Sequence, residues 1–273
     1  MIAGKFAGEE SVTPFATETG SSPSAEKAGF RFGHRGTHSS RTLMLDELTT
    51  VLAAAPPSAE RARYAAAVIE DNCLEKPTVA TRRLSNQRLG ELYALDPACA
   101  VFRVLRRLWG LDEPGRPLLA GLAALARDPL LAASAEPILS LPPGAEMQRG
   151  PVKEALRKAT GDRFNDAVLE KIARNTASSW TQAGHLEGRT FKIRRRVHAT
   201  PGTVAYALYL GHTAGFRGNE LLTSGWVATL DCTAASARAL ALEAKRLGLI
   251  DLRSAGDLFE LSFERLDPGL RRT

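Results

Sequence analysis

Five cations crowd the ten residues Arg189-Thr-Phe-Lys-Ile-Arg-Arg-Arg-Val-His198, and no acid interrupts them. Phe191, Ile193 and Val197 alternate with Lys192, Arg194, Arg196 and His198. That period of two predicts a strand or short hairpin. On it Lys192, Arg194 and Arg196 share one face, and Arg189 and Arg195 extend the charge. Such a row suits a phosphate backbone, and each phosphate it neutralised would release condensed counterion. A basic strand edge that merely resists pairing has the same look. Ser, Thr and Gln side chains in Ser178-Ser-Trp-Thr-Gln182 stand just before it, with hydroxyls and an amide suited to phosphate or base edges.

A second cluster lies in Thr78-Val-Ala-Thr-Arg-Arg-Leu-Ser-Asn-Gln-Arg88. It follows a helix and a short turn, the place of a recognition helix. Arg82, Arg83, Asn86, Gln87 and Arg88 are of the types that pair with guanine and adenine edges. A third feature is an order of elements. A helix with Arg238, Lys245 and Arg246 ends at Gly248 and runs into two alternating segments around Ser254-Ala-Gly-Asp257, a hairpin signature. Helices followed by a two-stranded wing is the winged-helix order. Arg253 is a candidate phosphate contact there, but Asp251, Asp257, Glu260 and Glu264 argue against that wing as the main footprint. Arg103, Arg106 and Arg107, at i, i+3 and i+4, read as a solvated helix face with Asp96, Asp112 or Glu113 as partners.

Chemistry of other kinds lacks its residues. The chain has no GxxxxGK[ST], GxSxG or HExxH, and no GxGxxG after a strand. His34 and His38 are four apart without further ligands, so neither a metal nor a cofactor is expected. Cys73, Cys99 and Cys232 form no CxxC pair, which favours a reducing compartment. No 18-residue apolar run and no leader-like segment is present, so the expectation is a cytoplasmic protein.

The elements that must position these residues are helical. Apolar spacing predicts helices from Ser39 to the Pro56-Pro57 stop, then over 58–71 with Ala62, Ala65, Ala66 and Ile69 inward, 78–95, 98–109, 117–127 and 129–139. The turn chemistry of Leu141–Gly150 marks a boundary. Beyond it, helices are expected over 151–160, 163–183 with Asp162 as cap, 201–215 with Thr200 as cap and Pro201 first, and 233–247. Trp109, Trp180 and Phe164 read as core anchors. Residues 1–36 are rich in Gly, Ser, Thr and Pro and read as a flexible tail. The 273 residues carry 36 Lys plus Arg against 30 Asp plus Glu, a net +6 that favours polyanions only moderately.

Over residues 37–265 the chain resembles the BrxA family, small accessory proteins of BREX phage-defence operons. The likeness rests on Gly36-Thr-His-Ser-Ser-Arg41, Asn72-Cys-Leu-Glu-Lys-Pro-Thr-Val-Ala-Thr-Arg-Arg83, Leu92-Tyr-Ala-Leu-Asp96 and Phe102-Arg-Val-Leu-Arg-Arg-Leu-Trp109. Further on it rests on Lys171-Ile-Ala-Arg-Asn175, Ser179-Trp-Thr-Gln-Ala-Gly184 and the closing winged segment. The resemblance implies a helical, non-enzymatic DNA-binding protein encoded beside a methyltransferase, an ATPase and a phosphatase-like protein.

The sequence thus predicts a mainly α protein, a helical bundle with helix-turn-helix and winged-helix elements and short β-hairpin wings. The expected organisation is a tail over 1–36, an N-terminal domain over 37–145 and a winged-helix-like domain over 146–273. The expected partners are double-stranded DNA and other defence-system proteins, with no membrane. Phosphate contacts alone do not choose between DNA and RNA. The competing readings are a protein–protein adaptor, its exposed apolar area in 117–141, and a sequence-specific repressor.

Overall fold

The computed structural model describes Phe15, residues 23–255 and residues 258–269. The helices run α1 Pro23–Ala28, α2 Leu45–Ala54, α3 Arg61–Ile69, α4 Val79–Tyr93, α5 Ala100–Leu111, α6 Arg116–Arg127, α7 Pro129–Ala133 and α8 Ala135–Leu139. They continue with α9 Arg149–Thr160, α10 Asp166–Gln182, α11 Pro201–Thr213, α12 Glu220–Thr223, α13 Gly225–Ala228 and α14 Ala234–Arg246. Two antiparallel pairs complete the fold: β1 Leu186–Glu187 with β2 Ile193–Arg194, and β3 Asp251–Ala255 with β4 Leu258–Ser262. The protein is mainly helical, with two small sheets.

Local chemistry sets most of the ends. Thr78 and Thr81 form a capping box at α4, and Thr200 and Thr203 form another at α11, where Pro201 takes the first helical position. The Thr233 hydroxyl accepts from Ser236 N–H at α14. Three helix starts differ from the expected ones. Asn165, not Asp162, caps α10. Helix α2 begins after Met44 in left-handed backbone, with the Leu45 N–H held by Gln182 Oε1 at 3.0 Å. Helix α3 begins after Glu60, and its buried residues are Tyr64, Ala67 and Val68 rather than the expected alanine stripe with Ile69.

Two helices are buried on all sides. Every residue of α6 from Leu118 to Arg127, and of α11 from Gly202 to Gly211, is inside. A helix with that pattern belongs to the centre of a core. Helix α6 packs against α4, α5, α10 and α11, and α11 against α5, α13 and α14. The buried cluster runs from Ala25 to Leu266 and crosses the turn at 140–148. Polar ties cross it too: Tyr206 donates to Val101 O at 2.9 Å, and Arg103 grips Asp267 through Nε and Nη2 at 2.8 and 3.0 Å.

Residues 23–36 are not a free tail. Phe30 is buried and meets Trp226 edge-on, as does Phe15. The Arg31 N–H donates to Ala126 O at 3.0 Å. The apolar area these aromatics bury acts against the entropy cost of ordering a polar segment. The remainder of the expected tail, 1–14 and 16–22, lies outside the described residues. Trp109 and Trp180 are core side chains, and Phe164 packs at the margin.

Candidate nucleic-acid interface

Segment 144–147 joins β1 and β2 in a three-stranded patch with β2 in the middle. The Gly144 N–H donates to Arg194 O at 2.8 Å, Arg194 N–H to Ala145 O at 2.8 Å and Met147 N–H to Lys192 O at 2.7 Å. Helix α9 starts directly after this segment. Its first turn has no acid and no side-chain cap, so its free N–H groups add positive potential. Between α9, α10 and the hairpin tip lies an open groove of about 510 Å³. Arg149, Arg174, Arg189 and Lys192 line it against one acid, Glu146, beside Ser178, Gln148 and Phe191.

The cations differ in how committed they are. Arg174 and Arg189 are exposed and have no partner among the described residues. Lys192 Nζ donates to Gly188 O at 2.7 Å and Thr181 Oγ1 at 3.0 Å, and burial lowers its pKa. Arg149 pairs with Glu170 at 2.9 Å. Outside the groove Arg195 pairs with Glu187 across the hairpin at 2.9 Å, while Arg196 stands exposed and unpaired among the described residues.

Arg194 is a correction. It does not share a face with Lys192 and Arg196; it is 1% exposed. Its Nη groups pair with both oxygens of Asp231, its Nε donates to Ile138 O at 3.1 Å, and Asp231 also accepts from Val197 N–H at 2.8 Å. A two-residue strand in the middle of a patch imposes no alternation. The carboxylate inside, 37 positions on, draws the guanidinium in. Phe191, read as alternating with the cations, is 67% exposed.

Helix α4 is corrected as well. Arg82 is half-buried and donates to Lys76 O and Ile69 O at 3.3 and 3.2 Å, closing the end of α3. Gln87 and Arg88 donate to Glu91 at 3.0 and 2.8 Å, as does Thr37 at 2.8 Å. Burial raises the pKa of that carboxyl, but these bonds outweigh it and hold it below the ordinary value. Arg83 alone is exposed without a partner among the described residues. Asn86 and Gln87 line a different groove, of about 330 Å³, with Arg31, Arg61 and Glu91. The structure therefore groups Arg189 and Lys192, sends Asn86 and Gln87 elsewhere, and withdraws Arg82, Arg88 and Arg194 into internal bonds.

Apart from Ser178, the polar run before the hairpin is likewise internal. Trp180 Nε1 donates to Ser134 Oγ at 2.9 Å, and Gln182 tethers Thr42 and Leu45. Ser179 Oγ lies 2.8 Å from His38 Nε2, whose Nδ1 lies 3.0 Å from Asp128 Oδ2. That is the order of nucleophile, base and orienting acid. All three are at most 1% exposed, and Ser179 Oγ also donates to Asn175 O at 2.9 Å. A serine sealed this way meets no substrate in this conformation. The network instead pins the 37–39 turn between α7 and α10, with Asp128 Oδ1 capping α7. Burial raises the Asp128 pKa, and the His38 interactions outweigh that and lower it. His38 is thus a fully buried side chain.

No family model matches the chain, and no curated protein matches it.

The residues missed by sequence reasoning are Arg149 and Arg174. Lys171, Arg174 and Ser178 recur at i, i+3 and i+7 opposite the apolar face of Leu169, Ile172 and Ala173, and that spacing marks an outward cationic face. Arg149 carried no signal, because its place beside α10 depends on the turn before α9.

Proposed function

We propose that this chain is a non-enzymatic DNA-binding protein that holds phosphates in the groove between α9, α10 and the β1–β2 hairpin. The observation that carries the reading is the lining of that groove: four cations, two of them uncommitted arginines, against one acid. In this reading α9, α10 and the hairpin act as a winged-helix-like unit, with β1–β2 as the wing that follows the backbone. The BrxA resemblance supports a place among the proteins of a BREX-like defence system.

The test is duplex binding titrated against salt. Replacing Arg174 and Arg189 by Ala should flatten the log–log slope by about 1.8, at about 0.9 per lost phosphate contact. An unchanged slope in a variant of unchanged Tm removes the groove from the footprint.

A second reading, an adaptor, draws on α14. Read as a winged helix, the segment from α11 to β4 would make α14 its recognition helix. It turns Ala234, Ala235, Ser236, Ala239 and Leu242 to solvent, while Arg238 folds over the Phe259 ring at 4.8 Å. Leu242 and Leu247 are 45% and 62% exposed. This favours protein rather than DNA at that helix. The 117–141 region does not supply the apolar area, because α6 is buried throughout.

A further inference from the structure

Among the described residues Phe191 is the most exposed large apolar side chain, at 67%. It stands at the tip of the β1–β2 hairpin, and the tip is braced. Gly188 takes φ +96°, where a Cβ would overlap the Phe191 carbonyl oxygen, so only glycine closes this turn. Lys192 ties the turn to α10 through Gly188 O and Thr181 Oγ1. The ring is thus presented by a fixed loop. Burying a phenylalanine is worth roughly 1.5–3 kcal/mol, and this chain leaves the gain unused.

The surroundings indicate what covers the ring. It lines the same groove as Arg149, Arg174, Arg189 and Lys192. A protein hot spot or a bilayer would call for several exposed apolar side chains around the ring; the groove adds only Met147 and Ala177, both buried, and its charged side chains are four cations against one acid. Cations for phosphates and an aromatic face for bases is the combination that binds unpaired nucleic-acid strands. A closed duplex keeps its base faces stacked and gives the ring nothing to cover.

We propose that Phe191 stacks on an unpaired base of a strand whose phosphates lie along Arg149, Arg174, Arg189 and Lys192, so that the groove favours single-stranded or locally opened DNA over closed duplex. The proposal rests on the reading of this groove as a phosphate site and narrows its substrate.

The experiment uses the full chain with a labelled mixed-sequence 20-mer, as single strand and as duplex, over a salt series. Wild type should prefer the single strand. Phe191→Ala and Phe191→Leu should lose about 5- to 150-fold of single-strand affinity, the range of one base–aromatic stack. Their salt slope should hold, because no phosphate contact is removed. Phe191→Tyr, which keeps the ring face, should retain the preference. A Phe191→Leu variant that binds the single strand like wild type overturns the proposal, as does an equal loss on both DNAs. In either case the Arg174→Ala/Arg189→Ala slope still decides the phosphate reading separately. Absence of binding to both DNAs at low salt removes both.

Discussion

The hairpin after α10 and the hairpin after α14 follow helices in the same order and meet solvent with different charge. The β1–β2 tip sets Arg189, Lys192, Arg195 and Arg196 against Glu187, and it opens on a groove with one acid. The β3–β4 hairpin sets Arg253 opposite Glu260 in register, ties Arg265 to Asp251 at 2.8 Å and has Glu264 beside it. Its Lys245 donates to Leu252 O at 2.8 Å. A polyanion meets net attraction at the first hairpin and a near-balanced surface at the second. The same helix–hairpin order therefore serves two surfaces, and the side chains, not the order, separate them.

The largest effect expected to sharpen this contrast is on stability. Arg194→Ala removes the partner of Asp231, a carboxylate only 14% exposed, and should cost about 3 kcal/mol. Thermal unfolding should show this as a Tm fall on the order of 10 °C. Arg253→Ala, at the other hairpin, should stay within about 0.5 kcal/mol. Equal shifts would break the distinction between an internal arginine and a surface one.

Acid should act on both units. Burial lowers the pKa of His185, beside β1, to about 4, and that of His212, at the end of α11, also to about 4. His185 lies 2.6 Å from Thr229 O through Nε2, and His212 packs against Phe263. Unfolded, both titrate near 6.5. The unfolded chain then binds about two more protons than the folded one between those values, so stability is full above pH 6.5 and falls as pH drops towards 4. Urea midpoints at pH 7.0, 5.5 and 4.5 check this, and His185→Gln should remove about half the slope. Asp128 and Asp267, with lowered pKa values, act in a separate window, losing their contribution only as pH falls through those folded values.

Binding effects come next. Glu146→Gln, which removes the acid of the groove, should raise duplex affinity at low salt, and the gain should vanish at high salt. The smallest effect belongs to the second hairpin. Arg253→Ala should leave the salt slope of DNA binding within about 0.3 of wild type, against about 1.8 for the groove pair. A loss near 0.9 would move the β3–β4 hairpin into the footprint.

Much of the fold was legible because its signals are local. Apolar spacing, Thr78, Thr200 and Thr233 at helix starts, and the alternating runs of β3 and β4 need only neighbours a few residues away. The site was legible in part. Density of charge located Arg189 and Lys192, but composition does not show which cations are already spent. Arg82 and Arg88 have the types of base readers and are held by α3 and Glu91. Arg174 has an ordinary helical surface spacing and becomes part of a site only where α9 and the hairpin meet α10.

By itself the sequence determined a mainly helical chain, the order of its longer helices, two hairpins and a basic segment near residue 190, since backbone capping and hydrophobic periodicity are properties of short stretches. The tertiary structure decided which charges face water. A guanidinium turns inward when a carboxylate distant in sequence waits there, as Asp231 does for Arg194, and outward when none does, as for Arg174, Arg189 and Arg196. Desolvating an arginine is unfavourable without such a partner, and only the packed fold supplies one.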